Sequence, residues 1–124
     1  MKSLVCILFC AVSLGLSAQD TTRNSYIGIL TLTPFYQTDS NWTDADGEVI
    51  GAHFMRLQEM AKSGIIELAG RVNLPSDHPD MFGLVIILPT TKEEAEKIMF
   101  EDPAVKAKIM QAKVLPFNIA VQKK

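Results

Sequence analysis

The segment at 82–88 constrains the fold of this chain more than any other part of its sequence. It consists of Phe-Gly-Leu-Val-Ile-Ile-Leu, an apolar run that is short for a helix and rich in residues favoured in strands. Successive residues of a strand point to opposite faces of the sheet, so both faces of this strand must be buried. We therefore predict a central strand, in a sheet that is covered on both sides.

Further patterns predict a strand, a helix and a second, short strand before this segment. β-Branched and aliphatic residues at 26–33 predict a first strand, which ends before Pro34. The polar stretch at 35–46 is expected to be a long loop or the start of a helix. From about residue 48 the spacing becomes helical and ends at Gly64, and a strand follows at 65–70. The apolar stripe predicted by this spacing is Ile50, Phe54, Leu57, Ala61 and Ile65.

The last part of the chain predicts a second helix and a final strand. Thr91 and Glu94 have the spacing of a capping box, which marks a helix start. Pro103 requires a break at Asp102, because the residue before a proline disfavours helical geometry. Alternating apolar residues predict a strand at 113–121.

This order of elements predicts an α+β fold with an antiparallel four-stranded sheet and two helices on one face, the split βαβ arrangement. The residues of the first strand are also apolar on both sides. Two helices cannot cover both faces of such a sheet. We therefore expect a homodimer, in which a second copy of the sheet covers the helix-free face.

The first nineteen residues have the pattern of a secretory signal peptide. Lys2 precedes an apolar stretch at 4–16, and small residues follow at 17–18. A transmembrane helix would need about 20 apolar residues. We expect cleavage after Ala18 or Gln19, which leaves the domain at 20–124 secreted or periplasmic and not bound to a membrane.

Charge and cysteine content restrict the function of the mature domain. The whole chain has 12 Lys and Arg against 14 Asp and Glu, a net charge of −2. Removal of Lys2 with the signal peptide changes this to 11 − 14 = −3. No basic surface for nucleic acid is expected at this charge. Cys6 and Cys10 leave with the signal peptide, so neither a disulfide nor a thiol nucleophile is expected.

The order and spacing of several short segments resemble the YCII-related (YciI-like) proteins of the dimeric α/β barrel superfamily. The resemblance spans residues 26–117. Its segments are His-Phe-Met-Arg-Leu at 53–57, Leu-Ala-Gly at 68–70, Phe-Gly-Leu at 82–84, Lys-Glu-Glu-Ala at 92–95, Glu-Asp-Pro at 101–103 and Val-Leu-Pro-Phe at 114–117. The resemblance implies a ferredoxin-like βαββαβ domain that dimerises through its sheet.

The resemblance also implies a site. A helix histidine and the aspartate of an Asp-Pro motif are the acid/base pair proposed for the family, and they correspond to His53 and Asp102. Arg56 matches a basic position near the histidine and would bind a substrate carboxylate or phenolate. The chain departs from the family at Arg71, where proline is usual, and at Ala104, where an aromatic residue is usual.

Each of these residues also has a purely structural interpretation. His53 lies at the edge of the predicted apolar stripe, where a histidine often packs its ring and hydrates its nitrogens. Asp102 is a good N-cap for a turn that begins at Pro103. Arg56 could be an ordinary solvated helix residue.

A further group of residues, at 77–80, has metal-ligand types in the order Asp-His-Pro-Asp. It is a single cluster without a second set of ligands, so we expect a turn and no metal site. Tyr36 and Trp42 lie in the long loop at 35–46. They either line a pocket or fix this loop to the domain.

Two functions are compatible with the sequence. The first is an enzyme without cofactor that catalyses isomerisation or elimination on a small, cyclic and anionic compound, with His53 as acid or base. The second is a non-catalytic module that binds a small ligand or another protein. An approach of His53 to Asp102 within hydrogen-bond distance, about 2.6–3.2 Å, beside a concave opening would favour the enzyme.

Export leads to a direct prediction. Intact-mass analysis of the protein from the extracytoplasmic fraction should give a chain that begins at Gln19 or Asp20. Full-length chain recovered from the cytoplasm would contradict it.

Overall fold

The computed structural model describes residues 22–124, together with residues 10, 11, 13 and 15. Most of the predicted signal peptide, with its cleavage site, lies outside the described residues, and export stays a prediction. In the described part of the chain, no helix has the length and apolar character needed to cross a bilayer.

The described chain forms one antiparallel sheet with helices in the connections. The strands lie in the order β2-β3-β1-β4, and β1 and β3 are the central pair. This α+β arrangement is consistent with the predicted ferredoxin-like fold. The elements are β1 (Asn24–Leu32), two 3-10 helices (Pro34–Gln37 and Asp39–Asn41), α1 (Asp44–Lys62), β2 (Ile66–Arg71), β3 (Gly83–Thr90), α2 (Lys92–Phe100), the single-turn α3 (Pro103–Lys106) and β4 (Met110–Phe117).

The core lies between one face of the sheet and the two long helices. Tyr26 of β1 is paired with Ile87 of β3, and both are buried together with Val85. A Cβ atom at Gly28 would collide with the side chain of Met99, so glycine allows α2 to lie close to the sheet. The remaining helical residues of this core are Met60, Ala95 and Ile98.

The opposite face of the sheet is also apolar. Ile27 is paired with Ile86 and with Leu115, and Leu68 lies beside Ile86 on the other side. Leu68 is 49% exposed and Leu115 is 43% exposed in the single chain. The prediction that β3 is central and apolar on both faces is confirmed.

Two predicted boundaries differ most from the structure. The last strand is Met110–Phe117 rather than 113–121, because its register runs from Leu32 opposite Met110 to Ser25 opposite Phe117. β1 begins at Asn24, so residues after Phe117 have almost no part of β1 left to pair with. The first helix begins at Asp44 rather than near residue 48.

The early start of α1 has a local cause. Thr43 accepts a hydrogen bond from the backbone of Asp46, and the Asp46 carboxylate accepts one from the backbone of Thr43. This is a capping box in which aspartate replaces the usual Glu or Gln. These hydrogen bonds hold the pKa of the Asp46 carboxyl below its ordinary value. Of the capping box predicted at Thr91, the structure shows one half, the hydrogen bond that the Thr91 hydroxyl accepts from the backbone of Glu94.

Candidate functional site

A cavity of about 370 Å³ lies between α1, the sheet and the loop at 72–82. This volume is within the range of small-molecule pockets, about 300–1,000 Å³. Its floor is formed by residues of β1, β2 and β3, and its walls are mainly apolar. The cavity is thus a concave, largely apolar opening on the helix side of the sheet.

The predicted apolar stripe of the first helix faces this cavity. Ile50, Phe54, Leu57 and Ala61 all line it, and Phe54 is 58% exposed. The residues of α1 that are buried are His53 and Met60 instead. The predicted apolar residues of α1 thus share one face, which borders the cavity, and Leu57 also packs against the core. Helical spacing places apolar residues on one face, but it does not show whether that face meets a packed core or an open cavity.

His53 and Asp102 form a buried pair. The ring Nδ1 of His53 lies 2.8 Å from both carboxylate oxygens of Asp102. The two residues are 6% and 2% exposed. The ring and the carboxylate are thus within hydrogen-bond distance, and the pair lies beside the cavity that His53 lines.

Asp102 also caps α3, so the cap and the contact with His53 coexist. One of its oxygens accepts a hydrogen bond of 2.9 Å from the backbone N–H of Ala104. The other lies 3.5 Å from a guanidinium nitrogen of Arg56. Three groups, the His53 ring and the Arg56 guanidinium of α1 and the backbone N–H of Ala104, therefore meet at one carboxylate.

These contacts determine the charge of Asp102. Burial raises the pKa of its carboxyl, but the hydrogen bond and charge of His53, helped by the capping N–H and the nearby guanidinium, lower it below the ordinary value. Asp102 is thus ionised at neutral pH. An ionised carboxylate only accepts hydrogen bonds, so the Nδ1 of neutral His53 carries the hydrogen.

The second ring nitrogen of His53 is available for chemistry. No hydrogen bond involves Nε2 within the described residues, and no fully buried side-chain nitrogen or oxygen there is without a partner. Nε2 therefore keeps access to solvent. With hydrogen on Nδ1, it presents a lone pair that can accept a proton.

The two arginines near the site have different surroundings. Arg56 is a partner of Asp102 and is not among the residues that line the cavity. Arg71 does line it, at the end of β2. The sequence drew attention to Arg71 only as a departure from the resemblance.

A β-bulge places Arg71 on the cavity side. Strict alternation from Ile66 would put residue 71 on the opposite face of the sheet. The register with β3 shifts between Ile66 and Leu68, so Leu68 moves to the open face and Arg71 pairs with Gly83. Gly83 is paired in turn with Leu30, a core residue.

The loop before α1 contributes Trp42 to the cavity. Its indole N–H donates a hydrogen bond of 2.9 Å to the carbonyl of Tyr36, and their rings pack edge to face at 5.1 Å. The hydroxyl of Tyr36 donates to Asp46 at 3.1 Å. Trp42 thus both lines the cavity and fixes the loop, whereas Tyr36 only fixes the loop.

The segment at 77–80 forms a turn, as predicted. The backbone N–H of Asp80 donates to the ring Nδ1 of His78. In the described residues, no three His, Cys, Asp or Glu side chains are grouped so that they could hold a metal ion.

Comparison with known proteins leaves the resemblance as an expectation. The sequence matches no protein-family model and no curated protein. The interpretation of the site therefore depends on its geometry.

The buried pair predicts a pH-dependent stability. We expect Asp102→Asn to lower the free energy of unfolding by about 1–3 kcal/mol, because a charged hydrogen bond is lost. Asp102→Ala should cost about 1 kcal/mol more, because alanine cannot cap α3. The folded-state pKa of Asp102 is depressed, so its contribution is present above the unfolded value of about 3.9 and is lost as the pH falls through the folded value.

Urea unfolding at several pH values tests this prediction. The difference between wild type and Asp102→Asn should be nearly constant just above about pH 5 and shrink below about pH 4. Glu101→Gln removes an adjacent but exposed carboxylate and should change stability by less than about 0.5 kcal/mol. A wild type and Asp102→Asn of equal stability near pH 6 would contradict the prediction.

Proposed function

We propose that this protein is an enzyme of the YCII-related type that carries out acid/base chemistry without a cofactor. The observation that supports the proposal most strongly is the orientation of one imidazole ring. Its Nδ1 is held by Asp102 at 2.8 Å, while the ring lines a cavity and its Nε2 has no hydrogen-bond partner among the residues that the structure describes.

The proposed chemistry is proton transfer at Nε2 of His53. Asp102 fixes the tautomer and stabilises the imidazolium that forms when Nε2 takes a proton from a substrate C–H bond. Return of that proton to another carbon gives isomerisation, and departure of a leaving group gives elimination. The mainly apolar walls match the carbon skeleton of a small cyclic substrate.

The alternative is a non-catalytic module that uses the same cavity to bind a small ligand. This module needs the cavity, but it does not need the hydrogen of His53 on a particular ring nitrogen. The two functions therefore differ in what a substitution of His53 does: it abolishes proton transfer in the enzyme and has little effect on ligand binding in the module.

The first test is the protonation of His53 in ¹⁵N-histidine NMR spectra. We expect hydrogen on Nδ1 of the neutral ring in the wild type, and a shift towards the Nε2–H form in Asp102→Asn. The chain has two histidines, so His78→Gln assigns the signals and serves as the control. Hydrogen on Nε2 in the wild type would contradict the proposed base.

The second part of the test measures chemistry. Cyclic monocarboxylates with an acidic C–H bond are incubated in D₂O, and solvent deuterium uptake or isomerisation is followed by ¹H NMR. We expect exchange with at least one compound and a loss of about 10²-fold or more in His53→Gln. Exchange that is unchanged in His53→Gln, or absent throughout, would favour the binding module.

We further propose that the protein is exported and forms a homodimer, the dimeric α/β barrel that the resemblance implies. The open sheet face supports a homodimer, because apolar side chains run across it and two of them, Leu68 and Leu115 on the edge strands, are half-exposed. A face of the same shape on a second copy would pack against it sheet to sheet.

Sedimentation tests the dimer. The mature wild type should sediment near 23 kDa at micromolar concentration, at roughly 0.11 kDa per residue. Leu115→Lys should shift it towards a monomer, because it places a charge in the apolar interface. Met55→Lys introduces the same charge at a 67% exposed residue of α1 and should remain dimeric. A monomeric wild type would contradict the proposal.

A further inference from the structure

We propose that Arg71 binds the anionic group of the ligand and that the cavity accepts a monocarboxylate with an apolar ring body. This inference rests on the proposed function only in taking the cavity as the ligand site. It assigns to Arg71 the role that the sequence suggested for Arg56.

The charge of the cavity supports a single anion. Among the described residues that line it, only Arg71 and His53 are titratable. This lining contains no Lys, Asp or Glu. His53 already has the Asp102 carboxylate as its partner. Arg71 therefore supplies the one permanent charge on the cavity wall.

The charge of Arg71 is not neutralised by the described part of the protein. Its Nη2 donates to the carbonyl of Leu74 at 3.3 Å and lies 3.6 Å from the sulfur of Met81. Arg71 takes part in none of the ion pairs there, although Asp39 and Asp77 line the polar groove that it borders on its other side.

These two contacts orient the guanidinium and leave most of its five N–H donors free. A guanidinium in this state matches a carboxylate through two parallel hydrogen bonds. Arg56 lacks this freedom, because its guanidinium lies beside Asp102. The geometry thus favours Arg71 as the residue that binds an anion.

The rest of the cavity restricts the ligand further. Ile50, Phe54 and Leu57 of α1 face the sheet residues Leu30 and Val85 across it. A second charged group on the ligand would be desolvated against these side chains without a partner. A monoanion with an apolar ring therefore fits better than a dianion or a phosphate ester.

A pair of isosteric probes tests the inference. Cyclohexanecarboxylate and cyclohexanecarboxamide have the same size and differ in charge, and neither absorbs where tryptophan does. Trp42, the single tryptophan, lines the cavity and reports binding by its fluorescence. In the wild type we expect the carboxylate to bind at least tenfold more tightly than the carboxamide.

Substitutions then show which residue causes the preference for the anion. Arg71→Gln should remove it, and Arg71→Lys should retain part of it, because lysine keeps the charge without the planar fork. Arg23→Gln, which removes an exposed charge bonded to Pro89, should retain all of it. Equal binding of the two probes by the wild type, a preference that survives in Arg71→Gln, or one that disappears in Arg56→Gln would overturn the inference.

Failure of this inference and failure of the proposed function are distinguishable. His53→Gln should keep the preference for the carboxylate. Absent proton exchange with an intact, Arg71-dependent preference would refute the enzyme and uphold the inference. Exchange that depends on His53, with equal binding of the two probes, would uphold the enzyme and overturn the inference.

Discussion

The buried contact between His53 and Asp102 connects parts of the chain that are 49 residues apart. It joins the middle of α1 to the N-terminus of α3, where the same carboxylate caps the backbone of Ala104. Burial of either side chain alone would leave a polar group without a partner. The pair therefore fixes how α1 is rotated about its axis, and that rotation decides which of its residues face the cavity.

The rotation of α1 explains why this small domain contains an open cavity. Met60 packs into the core with the residues of α2, but the most apolar side of α1 is turned towards the cavity. Apolar surface is thus left accessible at Phe54. Apolar surface left accessible in this way stabilises the fold less than a packed core does, and it is typical of ligand-binding sites.

The two faces of the sheet have different roles. The face under the helices forms the core and the cavity floor, whereas the other face is available for a second chain. Arg71 belongs to the first face only because of the bulge in β2, which inserts one residue between Ile66 and Leu68. One irregularity in one strand thereby places a cation at the cavity and Leu68 on the proposed interface.

Local patterns in the sequence determined the order of the elements, the central position of β3, the break before Pro103 and the cap at Asp102, since these follow from strand periodicity and backbone geometry over a few residues. The contact between His53 and Asp102 was expected from the resemblance alone, because two residues so far apart in the chain leave no local sequence signal of their contact. Only the tertiary structure decided what the apolar side of α1 faces, where β4 ends and on which face of the sheet Arg71 lies. Each depends on strand register or helix rotation, which long-range packing sets and local propensity does not contain.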